Sequence, residues 1–157
     1  MNIFWVILPL LFILLPLSKL KPTQYQKRRL SLREHAKSLG LEVQYASPHN
    51  KSEHNDVSLC YFFYADMRNI KTHVLSWYRH DNKSEWLFFQ YTHSTRHSQL
   101  SKGIVDILKD LPLSVTHFEI KPDYIACFWS EQGTIEDVSV INSVLRLASE
   151  YIKTTSL

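Results

Sequence analysis

The sequence predicts an α+β domain behind an N-terminal transmembrane helix, and three observations carry that prediction. An unbroken apolar run opens the chain, aromatic strand-like segments separated by turn formers fill its middle, and a strongly amphipathic helical segment closes it. The order they imply is helix, four strands, helix, two strands, helix: a mostly antiparallel sheet with helices on one face.

Every residue from Ile3 to Leu17 is apolar, and only Ser18 separates this run from Lys19. As a helix, residues 2–20 span about 28 Å, close to the roughly 30 Å hydrocarbon core if Lys19 reaches outward to the headgroups. Pro9 and Pro16 each delete a helical hydrogen bond, which membrane helices tolerate better than soluble ones. A cleaved secretory signal would carry Lys or Arg before the apolar run and a small-residue site after it. Here Met1 and Asn2 precede the run, and Leu17-Ser18-Lys19 follows it. The expectation is a transmembrane anchor at 1–20, a basic juxtamembrane linker at 21–29 and a cytoplasmic domain at 30–157.

Lys19, Lys21, Lys27, Arg28, Arg29 and Arg33 mark the C-terminal flank of the anchor as cytoplasmic, which makes this a single-pass inner-membrane protein with a periplasmic N-terminus. Residues 1–37 hold seven of the 18 Lys and Arg and one of the 15 Asp and Glu, a net of +6 against −3 for the remainder. Positive charge confined to the membrane flank suits anionic lipid headgroups. Nucleic acid would call for a basic face on the folded domain itself, so it is not an expected partner.

The soluble elements follow in order. A helix over about 26–39 has Leu30, Ala36 and Leu39 inward and Gly40 as its C-terminal cap, and a short strand covers Leu41 to Tyr45. Residues 46–56 lack periodicity and are rich in turn formers, so they form the longest loop. Strands at Val57 to Asp66, Lys71 to Arg79 and Glu85 to Tyr91 are expected to form an antiparallel meander. Ser98 caps a helix running to Leu108. Val115 to Ile120 and Tyr124 to Ser130 then form a hairpin around Lys121-Pro122-Asp123. In the last helix Thr134 and Asp137 have capping-box spacing, while Val138, Ile141, Leu145, Ala148 and Ile152 form the buried stripe.

Motifs of known chemistry are missing. Three glycines (Gly40, Gly103 and Gly133) cannot build a phosphate-cradling loop, and no nucleophile elbow or paired-cysteine motif occurs, so no cofactor is expected and the chain reads as non-catalytic. Cys60 and Cys127 each lie in an apolar run and read as core thiols. Among the eight histidines, His93 and His97 have the four-residue spacing of helical metal ligands, and with a strand-end carboxylate such as Asp66 or Asp123 they define an alternative, a small metal-dependent hydrolase. Solvated loop is the simpler reading of that pair, and His117, beside Phe118, is expected to face solvent. The aromatic excess is the stronger signal. Consecutive rings on a strand point to opposite faces, so a sheet covered on one side would expose Trp77, Trp86, Phe88, Tyr124 and Trp129 as a protein-partner surface. Cover by the long loop or by a second copy of the chain, a homo-oligomer, is the alternative.

The run Ile-Leu-Pro-Leu-Leu-Phe-Ile-Leu-Leu-Pro-Leu, followed by Lys-Pro and Gln-Lys-Arg-Arg, resembles the anchor of YajC, the accessory subunit of the bacterial preprotein translocase. Arg29 to Leu41 looks like a segment of uncharacterised single-pass proteobacterial proteins, some of which carry a translocase label for the same anchor. The resemblance covers about residues 3–33 and implies an accessory role in an envelope or protein-export assembly; the downstream domain departs from the smaller, mainly β soluble part of YajC. The element order is also similar to type III secretion chaperones, which bind protein segments.

Overall fold

The computed structural model describes residues 22–46, 58–64, 75–79, 85–90 and 97–155. The expected anchor with Lys19 and Lys21, nearly all of the loop expected at 46–56, and Asp66 and His93 lie outside the described residues. Among the described residues no helix is long and apolar enough to cross a membrane. The chain divides into two units, residues 1–30 and residues 31–157.

In the first unit, helix α1 (Gln24–Ser38) begins inside the segment expected to be a linker. Thr23 and Gln26 explain its start. The Thr23 amide donates to Gln26 Oε1 at 2.9 Å and the Gln26 amide donates to Thr23 Oγ1 at 3.2 Å, a reciprocal capping box. Arg29 lies over the Tyr25 ring at 5.1 Å.

In the second unit, Leu32 and Ala36, one turn apart, enter the core. Gly40 ends the helix at φ +85°, a conformation that favours glycine. The Leu41 amide bonds back to the Ala36 carbonyl and the Gly40 amide to the Lys37 carbonyl, so the last turn closes as a Schellman motif with Leu41 buried against the core.

The strands β1 (Glu42–Ala46), β2 (Ser58–Tyr64), β3 (Leu75–Arg79), β4 (Trp86–Gln90), β5 (Val115–Ile120) and β6 (Tyr124–Trp129), with helices α2 (His97–Leu108) and α3 (Ile135–Thr155), complete the α+β domain. Every strand pair is antiparallel, in the order β1-β2-β6-β5-β3-β4. The expected meander of β2, β3 and β4 is therefore corrected, because the β5-β6 hairpin stands between β2 and β3. Composition explains why. Five of the six residues of β6 are buried, which suits a strand covered on both faces, whereas β1 has three exposed residues and suits an edge.

Leu59, Tyr61, Leu75, Trp77, Phe118, Ile125, Cys127 and Trp129 share one cluster with Leu32 and Ala36 of α1, Ile104 and Leu108 of α2 and the buried stripe of α3. All five expected stripe residues of α3 are buried, and the Thr134 amide donates to Asp137 Oδ2 at 2.7 Å. A register shift between Val115 and His117 keeps both Val115 and Phe118 on the helix side. Cys60, Phe62, Ala126 and Phe128 form a second buried cluster on the opposite face.

Candidate functional site

The aromatic residues expected to face a partner are mostly interior. Trp77 is fully buried, Trp129 is 1% exposed and Trp86 7% exposed, all on the helix-covered face. They fill the core because their alternation places them on the face that the three helices cover. Tyr124 is half-buried against the second cluster, edge-on to Phe62 at 5.0 Å, and Phe88 takes its place in β4 opposite Trp77. Of the five, Trp77, Trp86 and Trp129 are thus core.

His117 does not simply face solvent. It is half-buried, stacked 6.0 Å from Tyr78 and edge-on to Phe128. Near it on the same face lies Glu119, 1% exposed, whose Oε2 is 3.6 Å from Lys121 Nζ. Lys121 also sits over the Tyr124 ring at 5.1 Å. Burial alone would lower the lysine pKa, but the Tyr124 hydroxyl and Glu119 outweigh it and the net direction is upward. Both cysteines are free and buried, and burial pushes each thiol well above its ordinary range, away from nucleophilic use at neutral pH.

The metal-dependent alternative finds no support. Among the described residues no group of three His, Cys, Asp or Glu could hold an ion. His97 opens α2, and Asp123 is exposed in the β5-β6 turn.

Arg33, read from sequence as a membrane-flank cation, is occupied within the domain. Its Nε donates to Glu131 Oε1 at 2.8 Å and its Nη2 to Oε2 at 2.9 Å. The Tyr61 hydroxyl donates to the same Oε1 at 3.1 Å, and Arg33 Nη2 also donates to the Tyr45 hydroxyl at 3.2 Å. The Glu131 side chain is fully buried while 28% of Arg33 remains exposed. Glu131 holds φ +57°, a left-handed conformation that costs a non-glycine residue about 1–2 kcal/mol. Hydrogen bonding to Glu131 raises the Arg33 pKa, and burial raises that of Tyr61. This cluster is a structural clasp, since it ties α1, β1 and β2 to Glu131, just past β6, through paired polar atoms.

A second arginine, this one buried, lines a groove of about 500 Å³ at the β4 edge. Arg79, from β3, is 7% exposed. Its Nη1 donates to the Pro112 carbonyl at 2.8 Å and its Nη2 to the Leu111 carbonyl at 3.3 Å, while the guanidinium lies 4.4 Å from the Trp86 ring centre. Trp86 is pinned in turn, its indole N–H donating to the Leu108 carbonyl at 3.0 Å. Arg79 Nε is buried without an acceptor, and among the described residues no carboxylate pairs with the guanidinium. Burial lowers its pKa. Around it, Glu85 precedes β4 and Leu87 lies in it, Val105 comes from the last turn of α2, and Lys109 and Leu113 from the segment beyond. Leu87 is 43% and Leu113 71% exposed, so the rim offers two apolar side chains to water beside the exposed, charged Glu85 and Lys109. Among the described strands nothing pairs with the outer side of β4. Sequence reasoning missed this groove; the available signal was Arg79 closing a strand of otherwise apolar and aromatic residues, a cation drawn into a core.

Compared with protein-family models, curated proteins and solved structures, the chain matches none.

Proposed function

We propose that the chain is a membrane-tethered, non-catalytic accessory protein whose cytoplasmic domain holds a segment of a protein partner, within an envelope or protein-export assembly of the kind its YajC-like anchor suggests. The carrying observation is the β4 edge, which no other described strand pairs with, beside an open groove with exposed Leu87 and Leu113, in a domain whose main core is covered by helices. Such an edge is a ready template for another chain, and natural domains usually blunt it with charge or cover it. The apolar run at 3–17 and the basic residues behind it supply the tether, with the lipid bilayer as the other partner.

The test is site-specific photocrosslinking in native membranes, with the photoreactive residue at Leu87 or Leu113 and, as control, at Leu147, which is exposed on α3. A discrete protein adduct from the two groove positions and none from Leu147 is the expected result. No adduct from the groove, or the same adducts from all three positions, contradicts the reading. For the tether, an alkaline phosphatase fusion after Leu157 should be inactive; activity, or recovery of a periplasmic chain shortened by about twenty residues, overturns the orientation.

A further inference from the structure

Arg79 is a buried charge whose compensation is incomplete within the described fold. Its two carbonyl partners, Leu111 and Pro112, lie three and four residues past the end of α2 and offer neutral dipoles and no opposite charge. The charge has otherwise only the face of Trp86, and Nε–H has no acceptor. Removing a cation from water costs several kcal/mol unless an opposite charge accompanies it. Glu85 lines the same groove but is exposed and makes no ion pair with Arg79, and Lys109 sits 2.6 Å from Asp106 at the surface. A carboxylate arriving in the groove would complete Arg79, and the exposed leucines with a strand edge that no described strand pairs select what can deliver it.

We infer that the groove takes an extended segment of the protein partner, one that adds as a strand along β4 and places an Asp or Glu side chain against the Arg79 guanidinium. This rests on the partner-binding reading and names the chemistry of the segment. Backbone pairing along the five residues of β4 provides an affinity indifferent to sequence. The neighbouring side chain of the segment covers Leu87 and Leu113, and the carboxylate supplies specificity, because a neutral isostere leaves Arg79 as it stands in the free domain.

The experiment uses the full chain in detergent micelles and two acetylated, amidated heptapeptides of alternating threonine and valine, one carrying a central glutamate and the other glutamine in its place. With no free terminus, the side chain is the only carboxylate present. The glutamate peptide should bind at least about tenfold more tightly than the glutamine peptide and slow hydrogen exchange of β4 amides in Trp86–Gln90. Arg79→Met should abolish the preference, Arg79→Lys should keep part of it, and Lys153→Ala, at the exposed end of α3, should leave it nearly unchanged. Equal binding of the two peptides, a preference that survives Arg79→Met, or protection elsewhere than β4 overturns the inference. So does binding only when a free C-terminal carboxylate is restored. If groove adducts persist in membranes while any of these is observed, the partner-binding reading stands and the acidic-segment inference alone falls.

Discussion

The two edges of the sheet treat an arginine drawn in from the surface in opposite ways. At the β1 edge, Arg33 meets Glu131 through two parallel hydrogen bonds, Tyr61 completes the carboxylate, and β1 presents Glu42, Gln44 and Tyr45 to water. At the β4 edge, Arg79 has two carbonyls and a ring but no carboxylate among the described residues, beside the exposed Leu87. The first edge is chemically complete and blunted by polar side chains. The second is not, and that difference separates a device that holds the fold from a surface suited to a partner.

The comparison makes graded demands on stability. Arg33→Met removes two charge-assisted hydrogen bonds from the fully buried Glu131 carboxylate, so a loss of about 3–5 kcal/mol in urea unfolding is expected. A loss below about 1 kcal/mol would make the clasp ornamental and remove the contrast.

Alkaline pH should load the same half of the sheet. The buried thiols of Cys60 on β2 and Cys127 on β6 are pushed far above their unfolded value of about 8.5. A group with a raised folded pKa leaves stability intact below its unfolded pKa and removes it as pH rises beyond. Stability should therefore hold from pH 7 to 8 and fall by about 1.5 kcal/mol at pH 9. Both thiols should resist alkylation at pH 8 in the folded chain and react in denaturant.

At Glu131 the backbone and the side chain can be separated. Glu131→Gly and Glu131→Ala lose the same carboxylate, but glycine accepts φ +57° at no cost, so the alanine variant should be less stable by about 1 kcal/mol. Equal stabilities would mean the turn relaxes when the clasp is cut.

The smallest effect belongs to Arg79→Met. It gives up two carbonyl hydrogen bonds but also relieves the burial of a charge, and the two changes offset to within about 1 kcal/mol. A loss of 3 kcal/mol or more would place Arg79 with Arg33 as a fold-holding residue.

The legibility of the molecule follows the range of the interactions involved. The element order and the α3 stripe were readable because periodicity and capping are local, and Gly40 was placed correctly for the same reason. The Thr23–Gln26 capping box was equally local, yet the basic composition of 21–29 suggested a linker. Strand order was not readable, since β2 pairs with β6 across more than sixty residues and nothing nearby announces it. Alternation showed that rings occupy both faces, but it does not say which face the helices cover, and Trp77, Trp86 and Trp129 proved to be core. Arg33 read as a headgroup cation because its partner Glu131 lies 98 residues away. The Arg79 groove depends on three separate segments meeting, and no sequence window contains them all.

The central claim, that Arg33 is satisfied within the fold and Arg79 from outside it, is tested most directly by ligand-linked unfolding. Urea midpoints of the full chain are measured with and without a large excess of the glutamate heptapeptide, for the unaltered protein and for Arg79→Met. A ligand that binds only the folded state raises the midpoint, by about 2–3 kcal/mol of stability at a hundredfold excess over its Kd. The expected result is a rise in the unaltered chain and none in Arg79→Met. Equal rises in both, or no rise in either, would contradict it.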